Sequence, residues 1–173
     1  MLNYSEIVKS LEEQMSIYAA YHQDGRNKAT HFVGVPLIIL ALMIPLSWPA
    51  YAGVSAAMVI TTVLLAYYLA LDFWLGLAMC VVMGALLWVG QLIASQGAVA
   101  GWAWFGVLFV GGWILQLVGH VFEGRRPALA DNLFQIFVAP IFLCAEAFFA
   151  LGYKPKLHTA VMERARQMRA NAA

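Results

Sequence analysis

From Phe32 to Phe122 the chain is almost continuously apolar, interrupted only at Ser47-Trp48-Pro49, at Asp72 and at Ser95-Gln96-Gly97. These breaks divide it into four runs, 32–48, 52–71, 73–95 and 99–122, each near the length of about 20 residues that a helix needs to cross a bilayer. Gly76, Gly84, Gly106, Gly112 and Gly119 lie within the runs, where small residues let helices approach closely in lipid. Residues 3–22 follow another pattern. Ile7, Leu11, Met15, Tyr18 and His22 recur at helical spacing, Glu6, Lys9, Glu12 and Glu13 take the other faces, and Asn3 can cap with Glu6 three residues on. Such a helix is too polar to cross a membrane and is expected to lie on its surface or cover the bundle. Asp24-Gly25 then supplies turn chemistry, with Gly25 the expected positive-φ residue of a bend.

Residues 132–152 are long enough to span but carry Gln135, Pro140 and Glu146. Charge distribution bears on their path. Lys9, Arg26 and Lys28 precede the first run, Arg125 and Arg126 follow the fourth, and Asp72 is the one charge in the loops between. Both ends of a four-span bundle are then cytoplasmic by the positive-inside rule. A fifth complete span would export Lys154, Lys156, Arg164, Arg166 and Arg169, so 132–152 reads as re-entrant or tilted in preference to a fifth span. The expected fold is an all-α integral membrane bundle forming a single domain. It comprises an N-terminal amphipathic helix (1–24), four spans (32–122), the 132–152 segment and a basic amphipathic tail (153–173).

Composition agrees: 63% of the 173 residues are hydrophobic and 11% charged, against roughly 45–50% and 25% in soluble domains. Together with a mean hydropathy of +0.77 this excludes an ordinary soluble domain. A net charge of +1 gives no electrostatic case for nucleic acid. Cys80 and Cys144 lack metal-type spacing and read as core residues. The N-terminus has no apolar core or cleavage site of a secretory signal.

Four crossings between His31 and His120 bring both to one membrane face. His22 can join them only if the chain bends, because nine residues of unbroken helix would separate His22 and His31 by about 13 Å, too far to share an ion. Asn27, one turn before His31, can orient it or hold a substrate oxygen. Gln116, His120 and Glu123 fall at i, i+4 and i+7 on one helix face, where Gln116 can support the histidine from behind. One interfacial histidine is more often a satisfied polar residue than a ligand, but three on one face point to a metal. Glu123 beside Arg125 and Arg126 can be a solvated helix end, but its register with His120 favours a functional role. Glu146, in the middle of an apolar segment, implies by default a functional partner or a raised pKa, the alternative being a structural bond to a polar group of a neighbouring helix. Trp48 and Trp102 read as interface anchors, and His158 as a solvated residue of the tail.

The stretch from Tyr18 through His22, Asn27, Lys28, His31, Gly34 and Pro36, the QLVGHVFE run at 116–123 followed by RRPAL, and Pro140, Phe142 and Glu146 together resemble the Mpo1-like family. The resemblance extends from about Tyr18 to Gly152. It implies a membrane Fe(II)-dependent dioxygenase that converts a 2-hydroxy fatty acid and O2 to the fatty acid one carbon shorter, CO2 and water. His22, His31 and His120 carry over as the iron-linked positions. Glu123 and Glu146 match acidic positions assigned here a catalytic part, and Asn27, Arg125 and Arg126 are candidates for holding the substrate carboxylate. The expected surroundings are membrane lipid, in a bacterial inner membrane in preference to the ER, with the site at the cytoplasmic face. The residues alone leave open a zinc-dependent lipid amidase, a haem carrier and a non-enzymatic scaffold; oligomeric state is not legible.

Overall fold

A computed structural model describes residues 4–125, 127 and 134–171, with side chains described from Leu11 onward. Asn3, Arg126 and Asn132, and the side chains of Glu6 and Lys9, lie outside the described residues. The elements run α1 (Tyr4–Ala20), α2 (Gly25–Leu46), β1 (Ala50–Tyr51), β2 (Val54–Ser55), α3 (Ala56–Leu71), α4 (Phe73–Ala94), α5 (Ala98–Glu123), α6 (Gln135–Ala150) and α7 (Pro155–Asn171). The all-helical class read from the sequence holds, apart from one minimal hairpin.

Local chemistry sets the boundaries. The Asp24 carboxylate accepts the Arg26 N–H at 2.8 Å and caps α2, so this helix starts seven residues before the apolar run and carries Asn27, Lys28 and His31 in its first turns. The break after α1 spans residues 21–24, and Gly25 is already helical without positive φ. The expectation of a positive-φ bend at Gly25 is thus corrected: the cap at Asp24 supplies the change of direction. Between α2 and α3, Ala50 pairs with Ser55 and Tyr51 with Val54, around Ala52 and Gly53 at φ 49° and 81°, the paired left-handed geometry of a tight hairpin. Asp72 alone joins α3 to α4. It accepts the Trp74 and Leu75 N–H groups, each at 3.1 Å, and its carboxylate also pairs with Lys154.

By length and composition α2, α4 and α5 are able to cross a membrane, whereas α3 and α6 are shorter apolar helices. At 16 residues each, these two are about 24 Å long, short of a hydrocarbon core about 30 Å thick. The tail read as 153–173 is largely α7, which lies on α1 and buries Val161 and Ala165 in the cluster that holds Leu11 and Met15. Arg164 pairs with Glu13 at 3.4 Å across that contact. α6 packs on α1, α2 and α4, with Phe142 fully buried and the Phe137 carbonyl accepting the Tyr68 hydroxyl at 2.7 Å.

α2 and α5 form the most extensive helix pair. A Cβ on Gly112 would lie 2.7 Å from Ile38 Cγ1 and 3.0 Å from the Gly34 carbonyl oxygen, so the backbones touch where the helices cross. Gly112→Ala is therefore expected to destabilise the folded protein by about 1–3 kcal/mol through overpacking. Gly106→Ala, whose Cβ meets nothing within 4 Å, should not. Thermal or denaturant unfolding of both variants in detergent checks this.

Candidate metal centre

His22 sits in the break between α1 and α2, His31 on the second turn of α2 and His120 on the last turn of α5. All three are buried, and one ligand atom from each lies within 4.8 Å of the others. The first two rings have their outer nitrogens engaged. Nδ1 of His22 meets the Tyr18 carbonyl at 2.7 Å, and Nδ1 of His31 meets the Asn27 carbonyl at 2.9 Å. A carbonyl oxygen only accepts, so both Nδ1 atoms carry the hydrogen and the neutral rings present Nε2 lone pairs. Those two Nε2 atoms face each other at 3.1 Å. His120, whose ring meets the Arg125 backbone, leaves a buried Nδ1 without a partner among the described residues.

Facing lone pairs repel unless a proton or a cation lies between them. Burial, reinforced by His31, pushes the His22 pKa well below the usual imidazole range, so a shared proton is disfavoured. Rings fixed by carbonyls behind them and converging through unprotonated nitrogens are what a metal requires. The residues present fit a divalent ion of the iron, zinc, copper or nickel class held by three imidazoles.

The turn that carries His22 is held from α5. Glu123 Oε2 accepts the backbone N–H of Gln23 at 3.0 Å, that of Asp24 at 2.8 Å and the Asn27 Nδ2–H at 3.1 Å. Its other oxygen pairs with Arg169 of α7. Tyr18 stacks flat on the His22 ring, centroids 3.9 Å apart.

A cavity of about 110 Å³ adjoins the three rings. Its wall continues along α2 through Val35, Ile38, Ile39 and Leu42, with Trp113, Gln116, Gln135 and Pro140 from α5 and α6. From His31 to Leu42 this wall is about 16 Å long at 1.5 Å per residue.

The sequence candidates therefore fall in different places. His22, His31 and His120 come together. Asn27 and Glu123 are buried beside them and bond the polypeptide, Glu123 through both oxygens. Gln116 lines the cavity one turn before His120. Glu146 is not in the cluster; it accepts from Lys28 Nζ at 2.7 Å, the structural bond to a neighbouring helix. Arg125 follows α5, Arg126 is outside the described residues, and His158 stacks on Phe149. Sequence reasoning missed Gln135 as a cavity residue and Arg169 as a partner of Glu123. The first turn of α6 gave no periodic signal pointing at the site, and nothing local ties Arg169 to a residue 46 positions away. The support that Tyr18 gives His22 was within reach, at i−4 on one helix face.

Comparison with known proteins bears on the same residues. The family model described as "2-hydroxy-palmitic acid dioxygenase Mpo1-like" matches residues 8–151. The Saccharomyces cerevisiae protein "2-hydroxy-palmitic acid dioxygenase MPO1" is 37% identical over 150 residues, covering 85% of this chain and 84% of the yeast protein. No solved structure matches.

Since Glu123 holds the turn that carries His22, Glu123→Gln should lower metal affinity by about 10–100-fold while helix content is retained. Gly25→Ala, whose Cβ meets nothing within 4 Å, should leave metal retention unchanged. Metal analysis after equilibration with a competing chelator checks both.

Proposed function

The chain belongs to the Mpo1-like family, and from that premise together with the three converging imidazoles we propose that it is an Fe(II)-dependent dioxygenase of 2-hydroxy fatty acids. The observation that carries the reading is the pair of Nε2 atoms facing at 3.1 Å, each backed by a carbonyl on Nδ1. His22, His31 and His120 hold the iron. When bound, the iron supplies a centre with open positions for the two oxygens of a 2-hydroxy acid and for O2.

The reaction RCH(OH)COOH + O2 → RCOOH + CO2 + H2O balances with all four electrons for oxygen taken from the substrate. It needs no nicotinamide or flavin. Glu123 serves by fixing the His22 turn and Asn27 by presenting its carbonyl to His31. Gln116, one turn before His120, faces the cavity, and Arg125 and Arg126 follow the same helix end, where cations favour a carboxylate. Glu146 and Lys28 form an ion pair joining α6 to α2. The apolar wall from Val35 to Leu42, about 10 Å long at 1.5 Å per residue, takes the first carbons of the acyl tail beyond the head.

We further read the chain as one membrane domain of four crossings, α2 to α5, the short α3 completed by the hairpin that precedes it, with α6 tucked in from the side of the metal centre. Support comes from α7 lying on α1 and from Lys154, which follows α6, pairing with Asp72 at the turn between α3 and α4. Glu146 likewise meets Lys28 near the start of α2. Both termini and the site then share the cytoplasmic face.

Incubating the iron-loaded protein with 2-hydroxypalmitate should yield the odd-chain acid with one O2 consumed per turnover, while palmitate gives nothing. His22→Ala, His31→Ala and His120→Ala should each lose at least about 100-fold in activity, a loss typical of disrupting a catalytic metal site, and His158→Ala should match the parent. Product formed equally well without O2 would indicate hydrolytic chemistry instead. Tags placed at both termini should report the cytoplasmic side; opposite sides would replace the tucked α6 with a fifth crossing.

A further inference from the structure

Apart from the histidines, the cavity wall is apolar save for a few polar groups, and two of these stand out. Gln116 and Gln135 are both buried, at 6% and 2% exposure, and both line the cavity. Each has one polar atom buried without a hydrogen-bond partner among the described residues: Nε2 of Gln116, a donor, and Oε1 of Gln135, an acceptor. Buried amide groups are costly to leave unpaired. One unmet donor and one unmet acceptor on the wall of the same pocket describe a ligand that brings an acceptor and a donor together.

We propose that Gln135 is the residue that reads the 2-hydroxyl of the substrate, its Oε1 accepting the hydroxyl hydrogen while Gln116 Nε2 donates to the neighbouring carboxylate. The proposal rests on the 2-hydroxy acid reading above and deepens it. A 2-hydroxy acid carries its hydroxyl and carboxylate on adjacent carbons, so one head group answers both glutamines. A plain fatty acid answers Gln116 and leaves Gln135 unmet. The asymmetry makes Gln135 the specificity determinant, because a site built around a hydroxyl rejects an analogue lacking it far more strongly than an apolar pocket rejects an extra group. Gln135 opens α6, so the helix that closes over the cavity carries the selecting group.

The test is equilibrium binding without oxygen, so that no turnover intervenes, read as displacement of a fluorescent polyene fatty acid from the iron-loaded protein. Palmitate, 2-hydroxypalmitate and 2-methoxypalmitate are the competitors; the last keeps the oxygen and lacks the hydrogen. The parent protein should prefer 2-hydroxypalmitate to palmitate by about tenfold or more and lose most of that preference with 2-methoxypalmitate. Gln135→Met, similar in volume and without the acceptor, should reduce the preference about tenfold, with palmitate affinity within about twofold of the parent and iron content unchanged. A Gln135→Met protein that keeps the parent's full preference for the hydroxy acid, or a parent that binds the methoxy analogue as tightly as the hydroxy acid, overturns the assignment of Gln135 and leaves the substrate class standing. A parent that binds 2-hydroxypalmitate no better than palmitate overturns the substrate reading itself and this proposal with it. The methoxy comparison uses the unaltered protein, so the assignment is decided even if the variant fails to fold.

Discussion

Two lone pairs directed at each other across 3.1 Å repel, so the facing Nε2 atoms of His22 and His31 have to be held in place by their surroundings. That requirement organises much of this half of the molecule. Each ring is oriented from behind by a carbonyl four residues earlier in the chain, and His22, which has no helix of its own, is stacked on Tyr18. The loop bearing it would otherwise be free to relax. Glu123 prevents this by accepting three N–H groups on one oxygen, each strengthened by the carboxylate charge. The same carboxylate ends the helix that carries His120, so α5 supplies the third imidazole and the anchor for the first.

Close helix packing makes this possible. With Gly34 and Gly112 at the crossing and Gly119 against Asn27 and Thr30, α2 and α5 come close enough for His31 and His120 to meet, their ring centroids 5.1 Å apart. In lipid there is little hydrophobic gain from bringing helices together, so contact between backbones and buried polar bonds carry more of the association. The charged partners lie at one end of the bundle: Arg169 on Glu123, Lys28 on Glu146, Lys154 on Asp72. Each joins an element outside the α2 to α5 core, or its flanking turn, to that core.

The helical class, the breaks near Trp48, Asp72 and Gln96, and the convergence of the three histidines were legible because they depend on patterns of apolar residues and on counting crossings. What was not legible depends on partners distant in sequence. Glu123 and Glu146 look alike from the sequence, each a carboxylate among apolar residues, yet one bonds the loop of His22 and the other a lysine on α2. Gly25 suggested a bend by its identity, but the Asp24 cap had already turned the chain. α3 reads as a full run from Ala52, whereas Ala52 and Gly53 are spent in the hairpin and only 16 residues remain helical. Gln135 resembled a polar blemish in an apolar segment until the fold placed it on the cavity wall.

Leu42 and Ile136 line the cavity and are also exposed on the outer surface of the helices. The lip of the pocket is thus formed by side chains that face whatever clothes the bundle. If the bundle is immersed in lipid, the long-chain acid of the proposed function reaches such a pocket sideways, from within the leaflet, without first dissolving in water. The quantity that governs occupancy is then the mole fraction of the acid in the membrane, and its bulk concentration matters only through partitioning. On that reading, diluting the acid with inert lipid at a fixed total amount lowers the occupancy of the pocket.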